Sequence, residues 1–309
     1  MHDKNPTQIQ FAPRSQRPLA TPLVLVHDGG GTTFGYFSLG NLHRDVWAIH
    51  NPHFFTAEPW EGGMDEMARH YIGLIENAGI SGPIFLGGWS LGGFLSLAMA
   101  RMLAAKPSSS RISVAGLLII DSPFHIPWSA FPAPVSAASL PGLPDLVRKS
   151  LDNCDGLLAS WQLPEWDGDA GRGRELRCAA AAATIPPASV LYTPLRRERT
   201  LVAVQPFPAG AAPLRQDGVA PPPGVLLRCV ERVPSEEPRG PPCRVDYFRD
   251  ELLLGWDGRH PEFIKAVFDV DSHHYNIFDF KKVKQVTAQL NEALTILECA
   301  SAAGPRAGY

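Results

Sequence analysis

Ser90 lies in the heptapeptide GGWSLGG, residues 87–93, between one apolar run and another. Gly88, Ser90 and Gly92 match the pattern Gly-x-Ser-x-Gly, and their neighbours predict a strand before the serine and a helix after it. A tight strand-to-helix turn forces the serine into an unfavourable backbone conformation. It also leaves room only for small side chains two positions to either side. We therefore interpret Ser90 as a nucleophile rather than a simple turn residue.

A serine hydroxyl is a poor nucleophile at neutral pH and needs a base within hydrogen-bonding distance. His273 and His274 follow the last predicted strand and precede the C-terminal helix. This position resembles that of the catalytic histidine in α/β-hydrolases, where the chain order is serine, acid, histidine. We prefer His274 as the base because Tyr275 and Ile277 follow it, an aromatic and an apolar residue.

The histidine in turn needs a carboxylate that fixes its tautomer and stabilises the imidazolium. Asp121 ends the apolar run GLLIID, which is the next predicted strand after the helix that follows Ser90. Sites in open parallel sheets form at the carboxyl ends of the strands, so we predict Asp121 as the acid. The alternatives are Glu231, Asp246 and Asp250, which follow a later strand.

The oxyanion that forms on the substrate needs hydrogen-bond donors. One is expected to be the backbone N–H of Leu91, the residue after the nucleophile. The second is expected in the loop HDGGG, residues 27–31, at Gly29 or its neighbour Asp28, where a glycine backbone can approach the reacting carbon closely. His27 and Asp28 are interpreted as residues that shape this loop, not as an acid–base pair.

The bulk properties are those of an ordinary globular protein. The chain has 309 residues, 45% of them apolar and 19% charged, and a formal net charge of −3, which gives no electrostatic reason to bind nucleic acid or an anionic membrane. No apolar run reaches the length of a membrane span, and residues 1–20 lack the apolar centre of a signal peptide. We expect a soluble cytoplasmic protein.

The five cysteines are scattered and show no Cys-x-x-Cys spacing. This pattern predicts reduced thiols, with no metal site and no disulfide framework. They are Cys154, Cys178, Cys229, Cys243 and Cys299.

Short apolar runs alternate with helical patterns, which predicts a mostly parallel sheet covered by helices on both faces. Strands are predicted in 23–26, 45–52, 83–88, 113–120, 224–230 and 264–270, and helices in 62–79, 91–107 and 281–300.

Residues 1–21 are polar and rich in proline, and we expect a loosely held N-terminal arm; residues 22–309 then form one domain. The alternation stops at about 123 and resumes at about 222, which suggests an inserted lid. One helix pair is predicted in 143–162, and residues 165–222 are too biased toward alanine and proline to assign.

Taken together, these motifs resemble the thioesterase domains that end polyketide and nonribosomal-peptide synthetases, particularly the fungal polyketide type. The matching segments are GGWSLGG, HDGGG, LLIIDSP (117–123) and DSHHYNIFD (271–279). An acid directly after the strand that follows the serine's helix favours this family over other α/β-hydrolases, where the acid usually comes one strand later. His273 departs from the pattern, which often has Asp or Asn there. The resemblance covers about 20–130 and 224–298.

The resemblance implies an α/β-hydrolase fold and an acyl chain delivered on the phosphopantetheine arm of a carrier protein or synthase. Ser90 would form an acyl-enzyme with His274 and Asp121, and hydrolysis or cyclisation would release the product. No metal or cofactor of its own is implied. The alternatives are a serine esterase or acyltransferase acting on small oxygen esters, and a non-catalytic binding protein of the same fold.

Overall fold

The computed structural model describes residues 4–13, 20–106, 110–168, 175–178, 183–204, 215, 218–235, 240–257 and 262–302. Eleven strands and five α-helices lie in these residues. The strands are β1 Thr7–Gln10, β2 Leu23–Val26, β3 Val46–Ile49, β4 Gly82–Trp89, β5 Ile112–Ile120, β6 Leu176–Cys178, β7 Ala183–Ile185, β8 Ser189–Thr193, β9 Thr200–Ala203, β10 Gly224–Cys229 and β11 Ile264–Val270. The helices are α1 Phe34–Phe37, α2 Gly63–Asn77, α3 Leu91–Ala105, α4 Asp145–Leu158 and α5 Val283–Ala302.

Nine of these strands form one sheet in the order β1-β3-β2-β4-β5-β10-β11-β8-β9. The seven inner strands, from β3 to β8, are mutually parallel, and only the edge strands β1 and β9 run antiparallel to their neighbours. Strands buried on both faces need continuous apolar sequence, as in the Leu23–Val26 run of β2, which is fully buried. The mostly parallel sheet predicted from the sequence is confirmed.

The sheet separates two apolar cores. On one face α2 and α3 pack against the strands through Met64, Tyr71 and Leu95. On the other face α5 packs through Leu290 and Leu294, which have no exposed surface. Helix α2 ends at Asn77, close to the predicted stop at Gly79. Gly79 has a φ of +76°, in the left-handed region that glycine adopts readily after the end of a helix. None of the helices in the described residues is both long and apolar enough to span a membrane.

In the predicted N-terminal arm, residues 1–3 and 14–19 lie outside the described residues, and residues 4–13 differ from the loosely held segment expected from the composition. Residues Thr7–Gln10 form β1 and pair with β3 at the edge of the sheet. An edge strand presents unpaired N–H and C=O groups, which a polar segment can satisfy as well as an apolar one. The Gln10 side chain adds hydrogen bonds to Gly40 O and from Leu42 N–H.

The segment between β5 and β10 also contains secondary structure that could not be predicted from its composition. The predicted helix pair in 143–162 is a single helix, α4, and four short strands, β6–β9, follow it. Strand β8 joins the main sheet beside β11, and β6 and β7 form a separate hairpin. The parts of the unassigned stretch at 169–174, 179–182, 205–214 and 216–217 lie outside the described residues.

The prediction that all five cysteines are free thiols is wrong for two of them. Cys178 and Cys299 form a disulfide, with their Cα atoms 5.2 Å apart. The hairpin of β6 packs on α5, so residues 121 positions apart in the sequence become neighbours, and sequence spacing could not show this. Cys154, Cys229 and Cys243 are free.

Candidate active site

Ser90 lies in the turn between β4 and α3, with a φ of +56° that is unfavourable for any residue other than glycine. The glycines on either side of Ser90 permit this turn because the backbone there lies very close to the backbone of β2. A Cβ on Gly88 would lie 2.5 Å from the carbonyl oxygen of Val26, and a Cβ on Gly92 would contact the same oxygen even more closely. The turn is therefore tied to β2, and it holds the Ser90 side chain, which is half-buried, at the carboxyl edge of the sheet.

The three side chains predicted to act together lie in one chain of hydrogen bonds. His274 Nε2 is 2.9 Å from Ser90 Oγ, and His274 Nδ1 is 2.8 Å from Asp121 Oδ2. Ser90 follows β4, Asp121 follows the neighbouring strand β5, and His274 begins a 3₁₀ turn after β11, which is separated from β5 by β10. The carboxyl ends of these parallel strands place the three side chains at one edge of the sheet. A histidine placed between a hydroxyl and a carboxylate in this way can accept the serine proton.

Asp121 is fully buried and is the acid that contacts the histidine. Burial by itself raises its pKa. The charge of Arg249 and the hydrogen bond with His274 outweigh burial, so the pKa lies well below the usual range for aspartate. The Cys229 backbone N–H also donates to Oδ1 at 2.8 Å. Asp121 is thus held as a carboxylate.

The three alternative acids lie elsewhere. Asp246 is buried and paired with Arg249 through a 2.9 Å contact. Asp250 is exposed and paired with Arg232, and Glu231 is exposed. None of these carboxylates has a hydrogen bond to His274 among the contacts of the described residues.

The two adjacent histidines have different surroundings. His273 Nδ1 accepts the backbone N–H of Tyr275 at 3.2 Å, so this ring caps the 3₁₀ turn. His274 is 1% exposed and points to Ser90 and Asp121. His273 therefore acts as the cap of this turn, at the position where the resemblance led us to expect Asp or Asn.

The two backbone donors predicted for the oxyanion lie beside Ser90. Leu91 is the first residue of α3, and Gly29 lines the same pocket as Ser90. Neither N–H donates a hydrogen bond to any acceptor in the described residues, so both are available to a ligand. The side chain of buried His27 contacts the Tyr71 hydroxyl at 2.6 Å and the Asp28 carbonyl oxygen at 2.5 Å, contacts that fix the loop rather than activate a nucleophile.

Asp28 contributes a carboxylate to the pocket wall. Burial is the main cause that raises its pKa to about 6, and a hydrogen bond from the Gly30 backbone acts in the opposite direction. Burial likewise lowers the pKa of its neighbour His27 to about 4. The loop therefore places an acid of raised pKa in the same pocket as the candidate nucleophile, while the imidazole of His27 lies against Tyr71.

The pocket beside Ser90 is mainly apolar and aromatic. Its walls come from the segment after β5, from α4, from the 243–245 segment and from Tyr275. One ion pair interrupts them, between Arg244 and Asp155 at 2.5 Å, and the Arg244 guanidinium lies 3.8 Å from the Trp128 ring centre. Apolar walls with a few polar groups are typical of sites for small organic ligands. Among the described residues, no group of three or more His, Cys, Asp or Glu side chains could hold a metal ion.

Reasoning from sequence missed Arg249, which contacts Asp121 with two nitrogens. Its segment, DYFRDE, has the composition of an exposed charged turn, and nothing in it points to residue 121. The pocket residues of α4 were missed for a related reason, because the sequence of this helix alone does not show which part of the protein it packs against.

Comparison with known proteins agrees with the motifs. The family model described as "Thioesterase domain" matches residues 21–138. A "Probable thioesterase lcsE" of Purpureocillium lilacinum is 46% identical over 96% of this chain and 97% of its own length. The nonribosomal peptide synthetase imqB of Aspergillus flavus is 29% identical over 93% of this chain, which corresponds to 8% of the synthetase.

A solved structure shows the same fold. The NocB thioesterase domain, in a covalent complex with a fluorophosphonate nocardicin G analog, has a TM-score of 0.54 and 21% identity, over 89% of this chain and 95% of that one. The fold is that of the α/β-hydrolases. With a relative that is nearly half identical from end to end, the chain belongs to the thioesterase family.

Proposed function

We propose that this protein is a serine thioesterase that releases an acyl chain from the phosphopantetheine thioester of a carrier protein, through an acyl-enzyme on Ser90. The observation that carries the proposal is the hydrogen-bonded chain from Ser90 through His274 to Asp121 at the wall of an apolar pocket. Membership of the thioesterase family supports the substrate class.

In the first half of the reaction, Ser90 Oγ attacks the thioester carbonyl carbon and His274 Nε2 takes the hydroxyl proton. Asp121 holds the imidazole by its Nδ1 atom and stabilises the positive charge that forms on it. The N–H groups of Leu91 and Gly29 bind the oxyanion; losing one such donor typically costs about 3 kcal/mol of transition-state stabilisation. The carbon–sulfur bond breaks, and His274 returns the proton to the leaving thiolate.

In the second half, water or a hydroxyl or amine of the acyl chain itself attacks the Ser90 ester, and His274 removes the proton from this nucleophile. The bond between the acyl carbon and Ser90 Oγ then breaks, and His274 returns the proton to Oγ, which regenerates Ser90. The products are an acid in the first case and a lactone or lactam in the second. The chemistry needs no metal or organic cofactor bound to this chain, because the pantetheine belongs to the partner.

The partner in this proposal is a carrier protein or a synthase that contains one. Its support is the relative imqB, whose name identifies it as a nonribosomal peptide synthetase and in which the matching region is a small part of a long chain. The acyl chain is expected to be mainly apolar or aromatic, because Phe94, Trp128 and Tyr275 line the pocket.

The test is intact-protein mass spectrometry after incubation with a series of acyl-pantetheine thioesters, in wild type and Ser90→Ala. We expect an added acyl mass on the wild type that is absent from the variant, together with release of free thiol. Oxygen esters with the same acyl groups serve as the matched comparison. Faster turnover of the oxygen esters than of the thioesters would indicate that the protein is an esterase and not a thioesterase. Binding of the thioesters without any adduct or turnover would indicate a non-catalytic binding protein.

A further inference from the structure

Arg249 is buried against the carboxylate of Asp121. Its side chain is 1% exposed, Nη1 is 2.5 Å from Asp121 Oδ1, and Nη2 is 2.9 Å from Asp121 Oδ2. The latter oxygen is also the one that contacts His274 Nδ1. Arginine and histidine therefore share one carboxylate in the interior of the protein.

The same guanidinium joins Asp121 to the wall of the substrate pocket. Its Nε lies 2.9 Å from Asp246 Oδ1, and its Nη2 donates to the Val245 carbonyl oxygen at 3.2 Å. Val245 and its neighbour Arg244 line the pocket. Asp246 also accepts the Val233 backbone N–H at 2.6 Å, which holds the pocket-wall segment in place.

Burying a guanidinium is unfavourable unless charge and hydrogen bonds compensate for lost hydration. Here Asp121, Asp246 and the Cys229 carbonyl oxygen, at 2.8 Å, supply that compensation. The consequence for the site is electrostatic. A carboxylate that already faces a cation stabilises a second positive charge, on the imidazole of His274, less strongly than an unpaired carboxylate would.

We propose that Arg249 is a positioning residue that fixes the Asp121 carboxylate against the pocket wall and limits how strongly Asp121 favours the protonated form of His274. The inference rests on the proposed function only in treating Ser90, His274 and Asp121 as a reactive unit. It does not depend on the acyl group or on the leaving group.

Several other titratable groups of the described residues face this unit, among them Tyr275, whose ring centre is 4.9 Å from that of His274, and any pH effect has to be separated from theirs. Asp28 and His273 interact electrostatically with His274, Cys229 interacts with Asp121, and Asp246 is paired with Arg249. An Arg249 variant leaves Asp28, His273 and Cys229 unchanged but removes the cation paired with Asp246, so an Asp246 variant is needed to measure the contribution of that carboxylate separately.

The measurement is the rate of Ser90 labelling by a fluorophosphonate, followed from about pH 5 to about pH 9, where histidine changes charge. Labelling needs only the reactive serine, so it remains informative if thioesters prove to be the wrong substrates. The labelling rate is divided by the folded fraction found by circular dichroism at each pH. A loss of folded protein then lowers the amount labelled without moving the midpoint of the pH profile.

For Arg249→Met we expect the acid-side midpoint to move up by about one pH unit, because the unpaired Asp121 favours the imidazolium more strongly. For Arg249→Lys, which keeps the charge but cannot bind both oxygens, we expect a midpoint near that of wild type and a maximal rate lower by about tenfold. Asp246→Asn removes a negative charge on the far side of Arg249. Its midpoint is expected to move down, by about half a unit.

Arg44→Met is the matched control, because Arg44 is another buried arginine paired with a carboxylate, Glu298, at 2.9 Å and away from the site. It removes a buried cation of the same kind and should leave the midpoint unchanged. If Arg249→Met labels with the wild-type midpoint, the proposal is overturned. If that variant does not fold, Asp246→Asn decides, and a midpoint that stays or moves up overturns it.

Discussion

His274 Nε2 lies 2.9 Å from Ser90 Oγ, although 184 positions separate the two residues in the sequence. The contact exists because parallel strands place their carboxyl ends at one edge of the sheet: Ser90 follows β4 and His274 follows β11. Two strands, β5 and β10, lie between them in the sheet. Asp121 at the end of β5 is then within reach of the same imidazole.

The neighbouring histidines provide a direct test of this contact. His274→Ala is expected to lower kcat/KM for a thioester by at least about 10⁴-fold, because the variant lacks the proposed base. His273→Ala removes only a cap from the 3₁₀ turn, and a loss within about tenfold is expected. Steady-state kinetics of both folded variants measures the difference. Equal losses, or a larger loss for His273→Ala, would contradict the assignment of the base.

The glycines around Ser90 give a prediction about stability. A Cβ at position 88 would contact Val26 O and the Cα of Gly92 at 2.5 and 2.7 Å, both of them backbone atoms that cannot rotate away. Gly88→Ala is therefore expected to lower the free energy of unfolding by about 3 kcal/mol. Urea denaturation measures the change.

Gly73→Ala is the control for that substitution. Gly73 lies within α2, and a Cβ there would have no atom within 4 Å. Alanine favours a helix over glycine, so this variant is expected to gain up to about 1 kcal/mol. If both alanines have the same effect, the close approach of the turn to β2 is not what requires glycine at position 88.

Asp28 gives a prediction about pH. Burial raises its folded-state pKa from 3.8 to about 6, so the unfolded chain releases this proton at lower pH than the folded protein does. Stability from this group is complete below about pH 4, falls as the pH rises to about 6, and is lost above that. Asp28→Asn cannot ionise. At pH 7 it should be more stable than wild type by about 1 kcal/mol, a value reduced for the partial exposure of the carboxylate.

Urea unfolding of wild type and Asp28→Asn at a series of pH values measures this difference. The two free energies of unfolding should approach each other below about pH 4 and separate between about pH 4 and 6. A constant difference at every pH would show that the substitution acts through packing or hydrogen bonding with Gly30, not through ionisation.

Much of the fold could be predicted from sequence because its strongest signals are local. The apolar run Leu23–Val26 predicts a buried strand, and the spacing of Leu290 and Leu294 predicts one apolar face of helix α5. Ser90 was predicted from the Gly-x-Ser-x-Gly turn, and His274 from its position after the last strand, which resembles that of the α/β-hydrolase histidine. Asp121 was predicted because sites in parallel sheets form at the carboxyl ends of the strands.

What the sequence could not show depends on contacts between distant segments. Arg249 contacts Asp121 across 128 positions, and the Cys178–Cys299 pair spans 121. Strand β1 is polar and pairs only because an edge of β3 is available, so its own composition carries no strand signal. Strands β6 to β9 are three to five residues long, too short for a period-2 pattern to be distinguished from irregular chain.

Helix α4 is attached to the loop that carries the proposed oxyanion donor. Ser150 Oγ donates to the Gly29 carbonyl oxygen at 3.0 Å in a buried hydrogen bond. Leu151 and Cys154, which follow Ser150 in the same helix, line the pocket and lie against Gly29. The position of Gly29 is thus set partly by helix α4, which also contributes residues to the pocket wall.

Ser150→Ala is expected to leave the Gly29 carbonyl without its buried donor and to lower the free energy of unfolding by about 1 kcal/mol. Because a small displacement of an oxyanion donor weakens transition-state binding, we also expect kcat to fall by about tenfold. Ser189→Ala is the control, since Ser189 forms a long, exposed hydrogen bond to Pro187 O. If Ser150→Ala loses stability and keeps the wild-type kcat, α4 closes the pocket without positioning Gly29, and the donor is held by its own loop alone.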